Sequence, residues 1–516
     1  MKNIKSFLVV GGGSAGWMTA ATLIKEFPEK EVTLIESPNI ATVGVGESTV
    51  GGIKQWTHYL GIDDKDFMKH TNGSYKLSIK FTDFYRKGDG GFHYPFGQPF
   101  VEENKALLND WYYKKYFYPD TPRSDYAECH YPQMALIRQH KLYYPEGDDL
   151  KNLPFRFHRD SAYHFDATMF ALWLKDNYCK PRGVKHILED VKSVEKDENG
   201  VKSLNNKHTA DMYIDCTGFK SLLLGDTLKE EFISYNDMLP NNSAWATRKP
   251  YTNKRKEFVG YTNCTAIENG WVWNIPQWER IGTGYVYSDK FVDDDTALKQ
   301  LQNHLGTDEL EFKKLKMRVG IHKRLWVKNV AAIGLSAGFI EPLESNGLFS
   351  VHEFLFRLLR NLKRDIVTQW DRDNYTFQCR RLFTNFAEFV AMHYALSNRD
   401  DTEYWRANRD KEWEPNLIDM KAMFKIGFFR YACQRDYDYH FETAGGLQAI
   451  AAGMNWGPGD FTSAKWLDMV NSSNFEDYKK EWEPFIQALD QRKQKWNDYA
   501  KTKHDYHDFH RDFIHN

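Results

Sequence analysis

The sequence predicts an α/β fold built on a Rossmann-like dinucleotide-binding unit, with a β-rich second layer and a helical C-terminal region. Three observations predict it. An apolar run at Ile4–Val10 ends in Gly11-Gly12-Gly13-Ser14-Ala15-Gly16, after which Trp17–Phe27 carries helical patterning. A second apolar run, Glu31–Ile35, closes on Glu36 and completes a strand, glycine turn, helix and strand. Farther along, residues 240–290 alternate apolar and polar positions with many β-formers, and beyond about residue 365 the pattern turns helical.

The spacing Gly11-x-Gly13-x-x-Gly16 is what a phosphate-cradling turn needs. The first glycine permits the tight turn, the second lets backbone approach a pyrophosphate, and the third allows close packing, with Ser14 and Ala15 within the turn; the start of the following helix favours negative charge. Glu36 stands 20 residues past Gly16, where a carboxylate can accept hydrogen bonds from an adenosine ribose. FAD is preferred over NAD because further turns, Gly44–Thr49, Asp215–Gly218 and Gly334–Ser336, suit an extended cofactor lying across the sheet.

Residues 75–180 are rich in Tyr, Phe, Pro and charge, with few long periodic stretches, and read as a substrate-side insertion. Ala162–Tyr178 reads as a helix. Strands are expected within 184–195 and 210–216 and at Val330–Gly334, and an amphipathic helix at Leu348–Leu362. Strands on either side of the insertion are expected to share one sheet. The expected organisation is one interleaved cofactor and substrate body over 1–365, followed by a mainly helical region over 366–516.

A chain of 516 residues can bury a large core. Its 69 basic and 71 acidic residues nearly cancel, so no net field draws it to nucleic acid or an anionic membrane, and a small molecule is the expected partner. Cys129, Cys179, Cys216, Cys264, Cys379 and Cys433 lack metal-type spacing and fit reduced thiols in a cytoplasmic protein. The first apolar strand begins too close to Met1 for a signal peptide, and no uncharged apolar run of about 20 residues could span a membrane. The expected protein is soluble and unprocessed, without a metal site, and compatible with a homo-oligomer.

Several stretches, in order, resemble the flavin-dependent halogenases, the family of the tryptophan halogenases. They are Gly11–Trp17, with Trp directly after the third glycine; Ser74-Tyr75-Lys76-Leu77-Ser78-Ile79-Lys80-Phe81; His164–Ala167; Gly270-Trp271-Val272-Trp273-Asn274-Ile275-Pro276, which matches WxWxIP; Gly282–Ser288; Phe339–Gly347; and Trp405–Asn408. Flavin hydroxylases share the glycine turn but lack WxWxIP. The resemblance covers roughly residues 4–410. It implies a flavin-monooxygenase-type version of the fold, FADH2 supplied by a separate flavin reductase, and O2 and halide as co-substrates. Hypohalous acid formed near the flavin would then pass through a tunnel to an electron-rich aromatic.

By the same resemblance, Lys76 holds the oxidant beside the ring carbon, through a hydrogen bond or a haloamine, and Glu344 stabilises the cationic ring and takes its proton. Lys80 competes with Lys76, since both would face one side of a strand, and Glu341 competes with Glu344. Asn346 and Gly347 match halide-binding backbone amides at a helix start, where the family usually carries Thr in place of Asn346. Ser48, Val191, Leu335 and Leu348 match further flavin contacts. Trp271, Trp273, Ile275 and Pro276 would keep the flavin apart from the substrate, although Trp271 and Trp273, at i and i+2, can equally pack a core.

Where the tryptophan halogenases grip the amino acid's carboxylate and amine, this chain has Glu442–Gln448 and then Ala449–Met454. The glycines there cannot supply that grip, which points to an indole, phenol or other electron-rich aromatic instead of free tryptophan. His504, His507, His510 and His515, interspersed with Asp and Lys, read as a solvated tail and not as a metal site. Two rival functions share the cofactor: an FAD aromatic hydroxylase, and a flavin-binding protein without chemistry.

Overall fold

The computed structural model describes residues 4–39, 47–100, 110–364, 366–413, 441–456 and 475–516. The glycine-turn unit forms as its pattern requires. Strand Ser6–Val10 pairs in parallel with Glu31–Glu36, and helix Ser14–Glu26 connects them, starting three residues earlier than the periodicity suggests. Around them lies a six-stranded sheet in the order Trp326–Val327, Val330–Ala332, Met212–Asp215, Ser6–Val10, Glu31–Glu36, Lys185–Leu188. Only the edge pair Trp326–Val327 and Val330–Ala332 is antiparallel. The strand Met212–Asp215 comes from beyond the insertion and pairs Asp215 with Val10.

The 240–290 region forms the second layer. Its seven strands run Lys313–Lys316, Ser243–Lys249, Ile281–Tyr287, Gly270–Pro276, Tyr261–Ile267, Ser78–Thr82, Gly91–Pro95. Strand Tyr261–Ile267 alternates buried and half-buried residues, as a sheet with one covered face does. Trp273 pairs with Gly284, where an added Cβ would fall 2.3 Å from the indole, so the glycine makes room for the ring.

The insertion is more ordered than its composition suggests. Ser78–Thr82 and Gly91–Pro95 join the second layer, while Ser74–Lys76 forms the edge of a separate three-stranded sheet with Ala162–Phe165 and Glu47–Ser48. Two expectations are corrected here. Ala162–Phe165 is strand, and helix begins only at Ala167, because the Asp166 carboxylate accepts from Thr168 N–H and Met169 N–H and caps it. Lys76 and Lys80 lie in different strands of different sheets, so they do not share one strand face.

Helix Gly347–Leu362 buries Leu348, Val351, Leu355, Leu358 and Leu362 and packs against helix Ser14–Glu26. Helix Gln369–Ala395 opens on a capping box of Thr368 and Asp371, and its last two turns are almost wholly buried. Cys129, Cys179, Cys216, Cys264 and Cys379 are buried, unpaired thiols, while Cys433 lies outside the described residues. Among the described residues no helix is long and apolar enough to cross a membrane.

The last thirteen residues overturn the solvated-tail expectation. His504–Asp505 pairs with Lys141–Leu142, and Tyr506, Phe509, His510 and Ile514 are buried. The interspersed charges mislead because this short helix is amphipathic. Its rings face Tyr75, Phe157 and Phe258, while Asp508 and Arg511 stay nearer solvent and pair with each other.

Candidate active site

The glycine turn is shaped by close backbone approach. Gly11 has φ +110°, and a Cβ there would meet Cys216 O at 2.3 Å; one on Gly16 would meet Gly11 O at 1.8 Å. Gly13 stands at the N-cap with no side-chain cap, and the first helical turn contains no acidic residue. The amide end of the helix is therefore left to an external anion, which fits a dinucleotide pyrophosphate. Ser14 Oγ donates to Ala167 O (3.0 Å), and Ala15 packs under Gly334, which brings the Gly334–Ser336 turn with Leu335 against the helix.

Glu36 ends its strand beside this turn. Its Oε2 lies where a Cβ on Gly12 would be, and its Oε1 is 2.7 Å from His186 Nε2. His186 carries no signal in the sequence, because it reaches Glu36 only through the pairing of their strands. Glu189 N–H donates to Glu36 O, so the stretch carrying Val191 leaves the sheet at the same end. Gly44, Val45 and Gly46 lie outside the described residues. The Ser48 hydroxyl is engaged elsewhere, with Thr262 Oγ1 (2.6 Å) and Ser345 Oγ (3.0 Å).

That pair of contacts leads to Lys76. Its side chain is fully buried, and Nζ donates to Thr49 O (3.0 Å) and Ser345 Oγ (2.9 Å), with the Phe96 ring 5.0 Å away. A chain of polar groups runs on from Ser345 through Ser48 and Thr262 to His164 Nε2, 2.9 Å from Thr262. Burial and the Lys76 charge hold His164 well below the usual histidine range, so it serves this chain as a neutral ring. Lys80, half-buried near Tyr261 on the other sheet, makes none of these contacts.

Glu344 directly precedes Ser345, whose hydroxyl accepts from Lys76 Nζ. Glu344 is also fully buried, and His393 Nε2 lies 2.9 Å from its Oε1. His393 Nδ1 lies 3.1 Å from Val390 O, one turn back on its own helix. Burial raises Glu344 above the ordinary carboxylate range, opposed by His393 and then by Lys76. Ser345 adopts a left-handed backbone, φ +58°, at the sharp turn that closes Pro342–Glu344. Such strain in a non-glycine residue costs of order 1–3 kcal/mol and is held where the surroundings demand it.

Glu341 is placed differently. It accepts from Trp271 Nε1 (3.3 Å) and from the Tyr394 hydroxyl, and burial pushes it up to about 7. It ties the tryptophan strand to the long helix, which separates its role from that of Glu344. Trp271 and Trp273 are buried neighbours with ring centroids 6.2 Å apart, and Ile275 and Pro276 are buried beyond them. Asn346 turns its amide onto Glu341 O (2.9 Å), leaving the start of helix Gly347–Leu362 without a side-chain cap.

Thr49, Ser345, Phe96 and His393 complete the cluster without having been singled out in the sequence. Ser345 sits inside the Phe339–Gly347 stretch and Thr49 beside Ser48; His393 has no local signal, since it arrives on a helix from far along the chain. Gly446 and Gly453 lie against Tyr94 and Phe92.

A nucleotide-type sheet joined to a buried lysine–carboxylate cluster behind a tryptophan strand is the architecture of a flavin-dependent halogenase. The chain belongs to the tryptophan halogenase family, whose profile matches residues 6–462. It is 34% identical over 458 residues to tryptophan 6-halogenase SttH of Streptomyces toxytricini, covering 82% of this chain and 86% of the relative. Against tryptophan 7-halogenase RebH of Lentzea aerocolonigenes it is 31% identical over 445 residues, covering 82% of each. The solved apo structure of VirX1 superposes with a TM-score of 0.88 at 36% identity, covering 99% of this chain and 100% of that one.

Proposed function

We propose that this halogenase uses FADH2, O2 and halide to halogenate an electron-rich indole- or phenol-type aromatic other than free tryptophan, with Lys76 directing the halogen and Glu344 taking the ring proton. The observation that carries the reading is the full burial of both Lys76 and Glu344, with Lys76 facing the Phe96 ring and held by Ser345, the residue that follows Glu344. FAD would rest its pyrophosphate on Gly11, Gly13, Ser14, Ala15 and Gly16 and its ribose on Glu36, with Ser48, Val191, Leu335 and Leu348 along its length. When bound and reduced by a separate flavin reductase, it would supply the two electrons that activate O2, which then oxidises halide to hypohalous acid and leaves its second oxygen as water.

The chain's own residues do the rest. Asn346 and Gly347 offer backbone amides to the halide at a helix start. Trp271, Trp273, Ile275 and Pro276 wall off the flavin side, so that substrate is not hydroxylated directly. Lys76, immobilised by Thr49 O and Ser345 Oγ, polarises the hypohalous acid. A carbon–halogen bond forms as the oxygen–halogen bond breaks; the departing hydroxide takes a proton from the Lys76 ammonium and leaves as water, the ring proton passes to the Glu344 carboxylate, and its return to Lys76 restores both groups. Five buried thiols support a reducing, cytoplasmic setting.

The test supplies FADH2, O2 and, separately, chloride, bromide and iodide, with a panel of indoles, phenols and free tryptophan. Haloindole or halophenol in excess over halotryptophan is the expected outcome. Hydroxyindole without haloindole would replace this reading with the hydroxylase.

A further inference from the structure

We infer that the tail residues Tyr506, His510 and His515 are positioning residues for Lys76, clamping the backbone of the strand that carries it. The inference rests on the assignment of Lys76 as the halogen-directing residue and adds what holds it there.

Strand Ser74–Lys76 is the edge of its three-stranded sheet, paired with Ala162–Phe165 on one side only. In an antiparallel pair alternate residues turn their N–H and C=O outward, and at a buried edge those groups need partners. Here the outward residue is Tyr75, fully buried. Its N–H donates to His510 Nε2 (2.9 Å), and its C=O accepts from the Tyr506 hydroxyl. Two side chains from the end of the chain thus stand where a neighbouring strand would be.

The tautomer is set for this. His510 Nδ1 lies 2.8 Å from Tyr506 O and carries the hydrogen, which leaves Nε2 as the acceptor. Burial pushes His510 down to about 3, so it remains a neutral acceptor at any working pH. The charged and titratable groups around it are His515, His507, His140 and, through the strand, Tyr75 and Tyr506.

The clamp extends two residues farther back. His515 Nε2 donates to Gly73 O (2.8 Å), and its ring stacks on Trp278 at 4.3 Å, nearly parallel. Trp278 N–H donates to Asn72 O (3.0 Å), and Ser74 Oγ donates to Pro276 O (2.7 Å). Residues 72–75 are therefore fixed between the tail and the exit of the WxWxIP strand, and the next residue is Lys76. Nothing local in the sequence demands this arrangement, yet it sets the origin from which Nζ reaches Thr49 O and Ser345 Oγ.

The test uses the full-length protein with FADH2, O2, bromide and indole as the probe. Tyr506→Phe removes one hydroxyl, and His510→Gln replaces the ring by a side chain that can still accept. Three readouts are compared with wild type: bromoindole formed per FADH2 oxidised, hypobromous acid captured by a thioether without indole, and the melting temperature. We expect Tyr506→Phe to lower bromoindole per FADH2 roughly ten-fold, by misplacing Nζ within an otherwise intact site, with trapped hypobromous acid unchanged. His510→Gln should fall between it and wild type. In a Lys76→Ala background Tyr506→Phe should add no further loss. Unchanged coupling in both single variants would overturn the inference, as would bromoindole and hypobromous acid falling together with melting temperature. Normal bromination by Lys76→Ala would instead remove the assignment on which the clamp rests.

Discussion

The two ends of the site are built from different materials. The dinucleotide end is backbone: a glycine turn, an uncapped helix start and one carboxylate, contiguous within Gly11–Glu36. The proposed halogenation end is mostly side chains, from Lys76, Phe96, Glu344–Ser345 and His393 with the Thr49 carbonyl, brought together from segments far apart in the chain. A backbone site tolerates little change at a few glycines. A side-chain site fails one chemical role at a time, and variants at the two ends should differ accordingly.

The largest effect is expected at the dinucleotide end. Gly16→Ala places a methyl 1.8 Å from Gly11 O, and no flexible side chain is there to yield. The variant should lose FAD affinity, measured by flavin fluorescence titration, together with folded yield. Tight FAD binding by Gly16→Ala would show that the turn is not where the pyrophosphate sits.

Next comes the carboxylate that contacts His393. Glu344→Gln should keep the fold, since amide and carboxyl are isosteric, and should lower kcat for substitution by roughly 10²–10⁴, the usual contribution of a general base. Burial raises Glu344, so wild-type substitution should increase with pH as this carboxyl ionises, and the variant should lack that limb. The same limb surviving in Glu344→Gln would assign the proton elsewhere.

Glu341→Gln sharpens the contrast between two carboxylates three residues apart. In the folded protein Glu341 keeps its proton up to about pH 7, against an ordinary value of 4.5, so the native state binds more protons within that window. Its contribution to stability is therefore lost as pH rises from about 4.5 through 7. The variant should flatten that slope in urea denaturation and, by disturbing the Trp271 and Tyr394 hydrogen bonds, cost about 1–3 kcal/mol. The pH limb of substitution should persist. Loss of that limb in Glu341→Gln, with Glu344→Gln unaffected, would exchange the two roles.

The same contrast explains what could be read from the sequence. Gly11–Glu36 is a local pattern in which spacing alone dictates conformation, and it formed as expected. The antiparallel layer was legible for the same reason, because alternation is a property of each strand by itself. Ala162–Phe165 was misread because its role as a strand comes from pairing with Ser74–Lys76, and the capping aspartate at Asp166 was the missed local cue. Lys76 and Glu344 were visible through the resemblance, but their supports were not: Ser345 acts through a left-handed backbone, His393 through a helix packed from afar, and the tail through partners more than 400 residues away. Interspersed charge hid that tail's buried face.

The most direct test of the account is Lys76→Ala assayed with FADH2, O2, bromide and indole, with a thioether present in a parallel reaction. The account predicts that the thioether still captures hypobromous acid while bromoindole falls by roughly 10²–10³, the loss typical when one preorganised donor is removed. Bromoindole formed at the wild-type rate would contradict it.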